Sequence, residues 1–166
     1  MAERLKRFDG ITQPDCRWRY FVRRTRTVGG GGWRPIAQKD LYDDVARIRL
    51  NETVPKDVRC QFSIAQNLCV QAWYDYEFNV QAGFLAAVCL ERALRFRLAA
   101  NASLEKLIDR AVLSGLLSPV EAGQCHSLRE LRNSVAHGST VVHNHGSRLL
   151  RIAAQIINRL YAAAVP

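Results

Sequence analysis

From Pro55 onward, apolar residues recur at spacings of three and four, with helix start and stop signals between the runs. That periodicity calls for amphipathic helices packed on one another and leaves no room for a sheet as the main architecture. Val58, Phe62, Ala65, Cys69, Ala72 and Tyr76 form a first stripe, and Val80, Phe84, Ala87, Val88, Leu94 and Leu98 form a second. Ser103 opens a shorter helix carrying Leu104, Leu107, Ile108 and Ala111, which Gly115 closes. Ser118-Pro119-Val120-Glu121 is a capping box with proline at the first helical position. The helix it starts carries Leu128, Leu131 and Val135 and stops at Gly138; a last one shows Leu149, Ile152, Ala153, Ile156, Ile157 and Leu160. Short connections make neighbouring helices antiparallel, so residues 55–166 are expected to form an all-α, up-and-down bundle of four to five helices.

Residues 1–54 have a different character. Ten of the 24 Lys and Arg fall within residues 1–39 against three acidic residues, so 10 − 3 = +7 of the net +9 sits at one end. A polyanionic partner is the reading that clustering favours. Trp18, Tyr20 and Val22 alternate with arginines, and Gly29 to Gly32 separate them from Trp33-Arg34-Pro35-Ile36. The pattern predicts a basic arm or short β-hairpin, with Trp18, Tyr20 and Val22 on one face. No G-K-[ST] follows the glycines, which makes them a turn and not a phosphate loop. Arg17, Trp18, Arg19, Tyr20, Arg23, Arg24, Arg26, Trp33 and Arg34 combine rings with guanidinium groups, a mixture suited to stacking on bases and touching phosphates. An arm packed on the bundle through its rings, with its arginines in water, is the other outcome this composition allows.

The five cysteines show no C-x-x-C spacing, and three of them occupy helical apolar positions, as reduced core cysteines do. His143-Asn144-His145 lies in a polar loop without a carboxylate or thiolate at ligand spacing, so neither a metal nor any other cofactor is expected. No apolar run reaches the ~18 residues of a membrane span, and no apolar signal core follows the first residues. These features predict a cytoplasmic protein with no membrane partner.

Two positions in the helices carry polar groups where apolar ones would be ordinary. At about 100° per residue, Glu91 falls about 20° from both Phe84 and Leu98, near the centre of its helix's apolar stripe. A carboxylate there needs a partner. Arg132, about 40° from Leu128 on the core-side edge of its own helix, is the natural one. His137 follows Arg132 by five positions, about 140° around the helix, and lies only about 40° from Asn133. Asn133 is therefore placed to orient the imidazole, while Arg132 must act around the helix edge or with a second copy of the chain. A guanidinium that grips phosphate and an imidazole that titrates near neutrality are the parts needed to cut a phosphodiester without metal. An architectural ion pair and a histidine favoured by the helix dipole remain alternatives for the same residues.

Ser103 to Ile108, Gly115 to Ser118, and Leu128 to Gly138 with its Arg132-Asn133-x-x-x-His137 core resemble the HEPN superfamily of helical-bundle proteins. The helix with Ala87, Leu90, Glu91, Ala93 and Leu94 is similar to that family's second helix, where an inward carboxylate is typical. The resemblance spans about residues 55–162 and leaves the arm aside. It implies a homodimer that is a metal-independent endoribonuclease of a defence or toxin system, with an antitoxin or other defence-system partner. Carried over, Arg132 would stabilise the transition-state phosphate, His137 would shuttle the proton, Asn133 would orient it and Glu91 would hold the arginine. RNA would be cut to 2′,3′-cyclic phosphate and 5′-hydroxyl ends. One branch has a tyrosine two positions after the histidine that a partner nucleotidyltransferase modifies; here that position is Ser139. Other members are non-catalytic modules that bind nucleic acid or a protein.

Overall fold

A computed structural model describes residues 6–25, 30–138 and 146–162. Two 3₁₀ turns, Phe8–Gly10 and Cys16–Tyr20, lead into an antiparallel hairpin of β1 (Val22–Arg24) and β2 (Trp33–Pro35). Six helices follow: α1 (Gln38–Ala46), α2 (Lys56–Gln71), α3 (Phe78–Leu98), α4 (Leu104–Leu113), α5 (Pro119–Ala136) and α6 (Gly146–Leu160). The chain is a mostly helical bundle carrying a small hairpin, as its periodicity predicts.

The central helix is α3, against which α2, α4, α5 and α6 all pack. Its sequence explains the position. Ala82, Gly83, Ala86, Ala87 and Ala93 are small and buried, so neighbouring helices approach closely, while Leu90 and Leu94 fill the space between. Phe62 of α2, Leu107 and Ile108 of α4, Leu128 of α5 and Leu150, Ile156 and Ile157 of α6 complete the core. Opposite that core, α6 leaves Arg148, Arg151, Gln155 and Arg159 exposed.

Helix ends follow the chemistry of their sequences. The Ser103 hydroxyl accepts from Lys106 N at the start of α4. At α5 the capping box is closed on both sides, with Ser118 N donating to Glu121 Oε2 at 2.8 Å and Glu121 N donating to the Ser118 hydroxyl at 3.3 Å. The same Glu121 carboxylate takes an ion pair from Arg159, tying the start of α5 to the end of α6. The end of α3 departs from the usual pattern, because Ala99 adopts the left-handed conformation (φ 46°) that glycine normally fills.

The N-terminal region is docked on this bundle. Helix α1, which the apolar periodicity does not announce, buries Leu41 and Val45, and Val45 with Ile48 and Val54 joins the main core. Asp15 caps the second 3₁₀ turn by accepting from Arg17 N at 2.9 Å, so residues 16–20 wind with a period near three instead of two. That winding corrects the expected common face. Trp18 turns inward with Phe21, whereas Tyr20 and Val22 stay outside. Trp18 packs on Tyr76, Phe21 and Trp73 at centroid distances of 5.0, 5.3 and 6.2 Å, and its indole N–H donates to Ala72 O at 2.7 Å. Gly30 to Gly32 lead into β2, and at Gly31 a Cβ would lie 2.5 Å from the Thr25 carbonyl oxygen, so no larger residue fits there.

Candidate functional site

Glu91 lies on the buried side of α3 and is 7% exposed. Both its oxygens are engaged: Arg132 of α5 donates to one at 3.1 Å, and Arg95, one turn further along α3, donates to the other at 2.7 Å. A carboxylate so placed is tolerable because two guanidinium groups replace its water. The Glu91 to Arg132 pair is the one the helical angles predict. Arg95 and Arg97 are exposed and Arg92 is half-buried, and each of the three also has a fixed partner. Arg92 pairs with Asp57 and lies over Phe96, Arg95 holds Glu91, and Arg97 donates to Leu160 O. The i,i+4 spacing of Glu91 and Arg95 was the available signal.

Arg132 is held on a second side. Its Nη1 donates to Asn133 Oδ1 at 3.0 Å, so two of the five N–H donors of a guanidinium are committed and the side chain remains 35% exposed. This corrects the expected role of Asn133. Its side-chain oxygen orients Arg132, and its link to His137 is through the backbone, where Asn133 O accepts from His137 N at 3.0 Å. The bond to the adjacent guanidinium is charge-assisted, which makes it a strong one for this oxygen.

His137 is the C-cap of α5 and is exposed. Gly138 follows with φ 74°, ending the helix in the left-handed turn that glycine adopts without strain. Five residues of helix place His137 about 7.5 Å further along the axis than Arg132 and about 140° around it. Two cavities, of about 670 and 1510 Å³, lie elsewhere, one against α1 and α2 and the other where the N-terminal segment meets the α2–α3 junction. Arg132 is partly exposed and His137 exposed at the end of α5.

The arm residues divide sharply. Trp18 is 6% exposed and sealed in the aromatic cluster, which removes it from the stacking set. Arg17 pairs with Asp15 and Glu77 and lies over the Tyr76 ring at 4.6 Å. Arg23 pairs with Asp40 and Asp44, and Arg34 with Asp40 at 2.6 Å. Hydrogen bonds from Arg34 hold the Asp40 carboxyl well below the usual carboxylate range against the opposing effect of burial, with further help from Ala37 N and Arg23. For Asp15, burial alone would raise the pKa; the hydrogen bonds from Arg17 and Tyr76 N outweigh it and hold this carboxyl low as well. The charges of Arg17, Arg23 and Arg34 are therefore spent on fixing the arm, while Arg19, Tyr20, Arg24 and Trp33 remain exposed. Arg26, Ser139 and His143 to His145 lie outside the described residues.

Among the described residues, no group of three or more His, Cys, Asp or Glu is placed to hold a metal ion, and no helix is long and apolar enough to cross a membrane. Burial pushes the thiols of Cys69, Cys89 and Cys125 up to about 12, so they serve as small core residues and not as nucleophiles. No known protein family, curated protein or solved structure matches the chain.

Proposed function

We propose that the chain is a HEPN-like, metal-independent endoribonuclease whose site is completed when two copies meet at the ends of their α5 helices. The observation that carries this reading is the pairing of a guanidinium fixed from two sides, Arg132 on Glu91 and Asn133, with an exposed imidazole on the same rigid helix. A preorganised cation needs little reorganisation when charge develops on a phosphorane. In the reaction, the 2′-hydroxyl oxygen bonds to the adjacent phosphorus as the bond to the 5′-oxygen breaks. His137 takes the hydroxyl proton and passes it to the departing 5′-oxygen, and Arg132 neutralises the non-bridging oxygens. DNA lacks the nucleophile and survives. Within one chain the two groups start about 140° apart around the helix, so Arg132 must reach around the helix edge or act with a second copy, and the proposal takes the second route.

Total RNA incubated with the purified protein in EDTA tests the reading. Cleavage to cyclic-phosphate ends that His137→Ala abolishes, with melting temperature unchanged, supports it. An unchanged rate in that variant removes His137 from the mechanism. A second reading is favoured by the engagement of Arg132 on both sides within its own chain, which is what an architectural ion pair also requires. In that reading the bundle is a non-catalytic module, and it binds RNA or a protein partner with affinity that falls steeply with salt and without cleavage.

A further inference from the structure

The hairpin has two faces of opposite chemistry. In its register Arg23 lies opposite Arg34, and Val22 and Arg24 lie opposite Pro35 and Trp33. Two arginines facing each other across a strand pair repel, and here Asp40 accepts from both, with Asp44 taking Arg23 as well. The inner face is thereby neutralised against α1. The outer face carries Val22, Arg24, Trp33 and Pro35, Tyr20 is exposed two residues before the first strand, and none of these side chains is a carboxylate. Trp33 is 70% exposed, Tyr20 71% and Val22 57%. Trp33 and Tyr20 are large exposed rings with arginines next to them in sequence, Arg19 beside Tyr20 and Arg34 beside Trp33, and Arg24 lies across the strand pair from Trp33.

We propose that this outer face is a stacking surface for an unpaired RNA strand, with bases on Trp33 and Tyr20 and backbone phosphates on Arg24 and Arg19. The proposal rests on the reading of the chain as acting on RNA, but not on cleavage. Arg19 already lies over the Tyr20 ring at 4.7 Å and donates to its hydroxyl at 2.7 Å, which fixes that ring in the open. Among the described residues Arg24 makes no ion pair, so its charge is available to a phosphate. Charge complementarity selects the occupant. A symmetric second copy seated on this face would bring its own Arg19 and Arg24 against these, with no acid between them. A duplex offers no free base faces to the rings, whereas an unpaired strand offers one at every nucleotide.

The test uses the full chain carrying His137→Ala in EDTA, so that the RNA survives, and measures binding of a labelled oligouridylate by fluorescence anisotropy. Trp33→Ala and Tyr20→Ala are each expected to weaken binding by about tenfold or more, with Trp33→Phe retaining most of it. Because these side chains are exposed, the melting temperature should not move. Arg24→Ala should lower the slope of log affinity against log salt by about 0.7. Duplex RNA of the same length should bind more weakly and be indifferent to Trp33→Ala. Unchanged oligouridylate binding by Trp33→Ala overturns the proposal. So does an equal loss for single strand and duplex, or a change of oligomeric state in Trp33→Ala with RNA affinity intact. A wild-type chain that never cleaves RNA but shows the Trp33 effect would sink the nuclease reading and leave this one standing. Cleavage with no Trp33 effect would do the reverse.

Discussion

At the scale of single residues, Glu91 matters most. Its position in the middle of an apolar stripe is visible from the spacing alone, and the demand for a cationic partner follows from the free energy of burying a carboxylate. Glu91→Gln is expected to lower stability by about 1–3 kcal/mol, because one amide oxygen cannot serve two guanidinium groups and the amide N–H₂ opposes one of them. Thermal melting measures that loss, and RNA cleavage should fall by at least about a hundredfold, as expected when a transition-state donor is displaced. Stability reduced with cleavage intact would make the pair architectural only. Asn133 teaches the complementary lesson. The i,i+4 spacing placed it beside His137, but spacing does not rank competing hydrogen bonds, and the stronger acceptor role toward Arg132 decides its orientation.

At the scale of elements, the five long helices were legible because their starts and stops are written in side chains that satisfy backbone groups, Ser103, Ser118 and Gly115 above all. Helix α1 was not. It is nine residues long, its N-terminal box is Asp40 accepting from Ala37 N, and that same Asp40 is taken by two arginines from the hairpin, so its stability is tertiary. The hairpin was legible but the common face of Trp18, Tyr20 and Val22 was not, because alternation of rings and arginines mimics a period of two, whereas the Asp15 cap sets a period near three. The end of α3 carries a correctable strain. Ala99→Gly should stabilise the protein by about 1 kcal/mol, since only glycine adopts the left-handed turn without a Cβ penalty. That gain corresponds to a rise of about 2–4 °C in melting temperature; a lower melting temperature would mean that the Ala99 methyl group packs favourably there.

At the scale of the whole molecule, the basic end is less of a free cationic tail than composition suggests, because Asp15, Asp40 and Asp44 absorb much of its charge in docking the arm. The arm's attachment is therefore acid-sensitive. Asp15 and Asp40 have folded-state pKa values below the unfolded value of about 4, so their contribution is complete above that pH and is lost as pH falls beneath it. Tryptophan emission should shift to the red below about pH 3 as Trp18 leaves its cluster, ahead of the loss of helical circular dichroism; a single concerted transition would show arm and bundle to be one cooperative unit.

If two chains share the site, mixing Arg132→Ala with His137→Ala and allowing subunit exchange restores RNA cleavage in EDTA. Half of the dimers are then mixed, and each holds one intact Arg132 and His137 combination of two, so about a quarter of wild-type activity is predicted from a mixture of two inactive proteins. A mixture as inactive as its components, despite verified exchange, would mean that no site is shared between the chains.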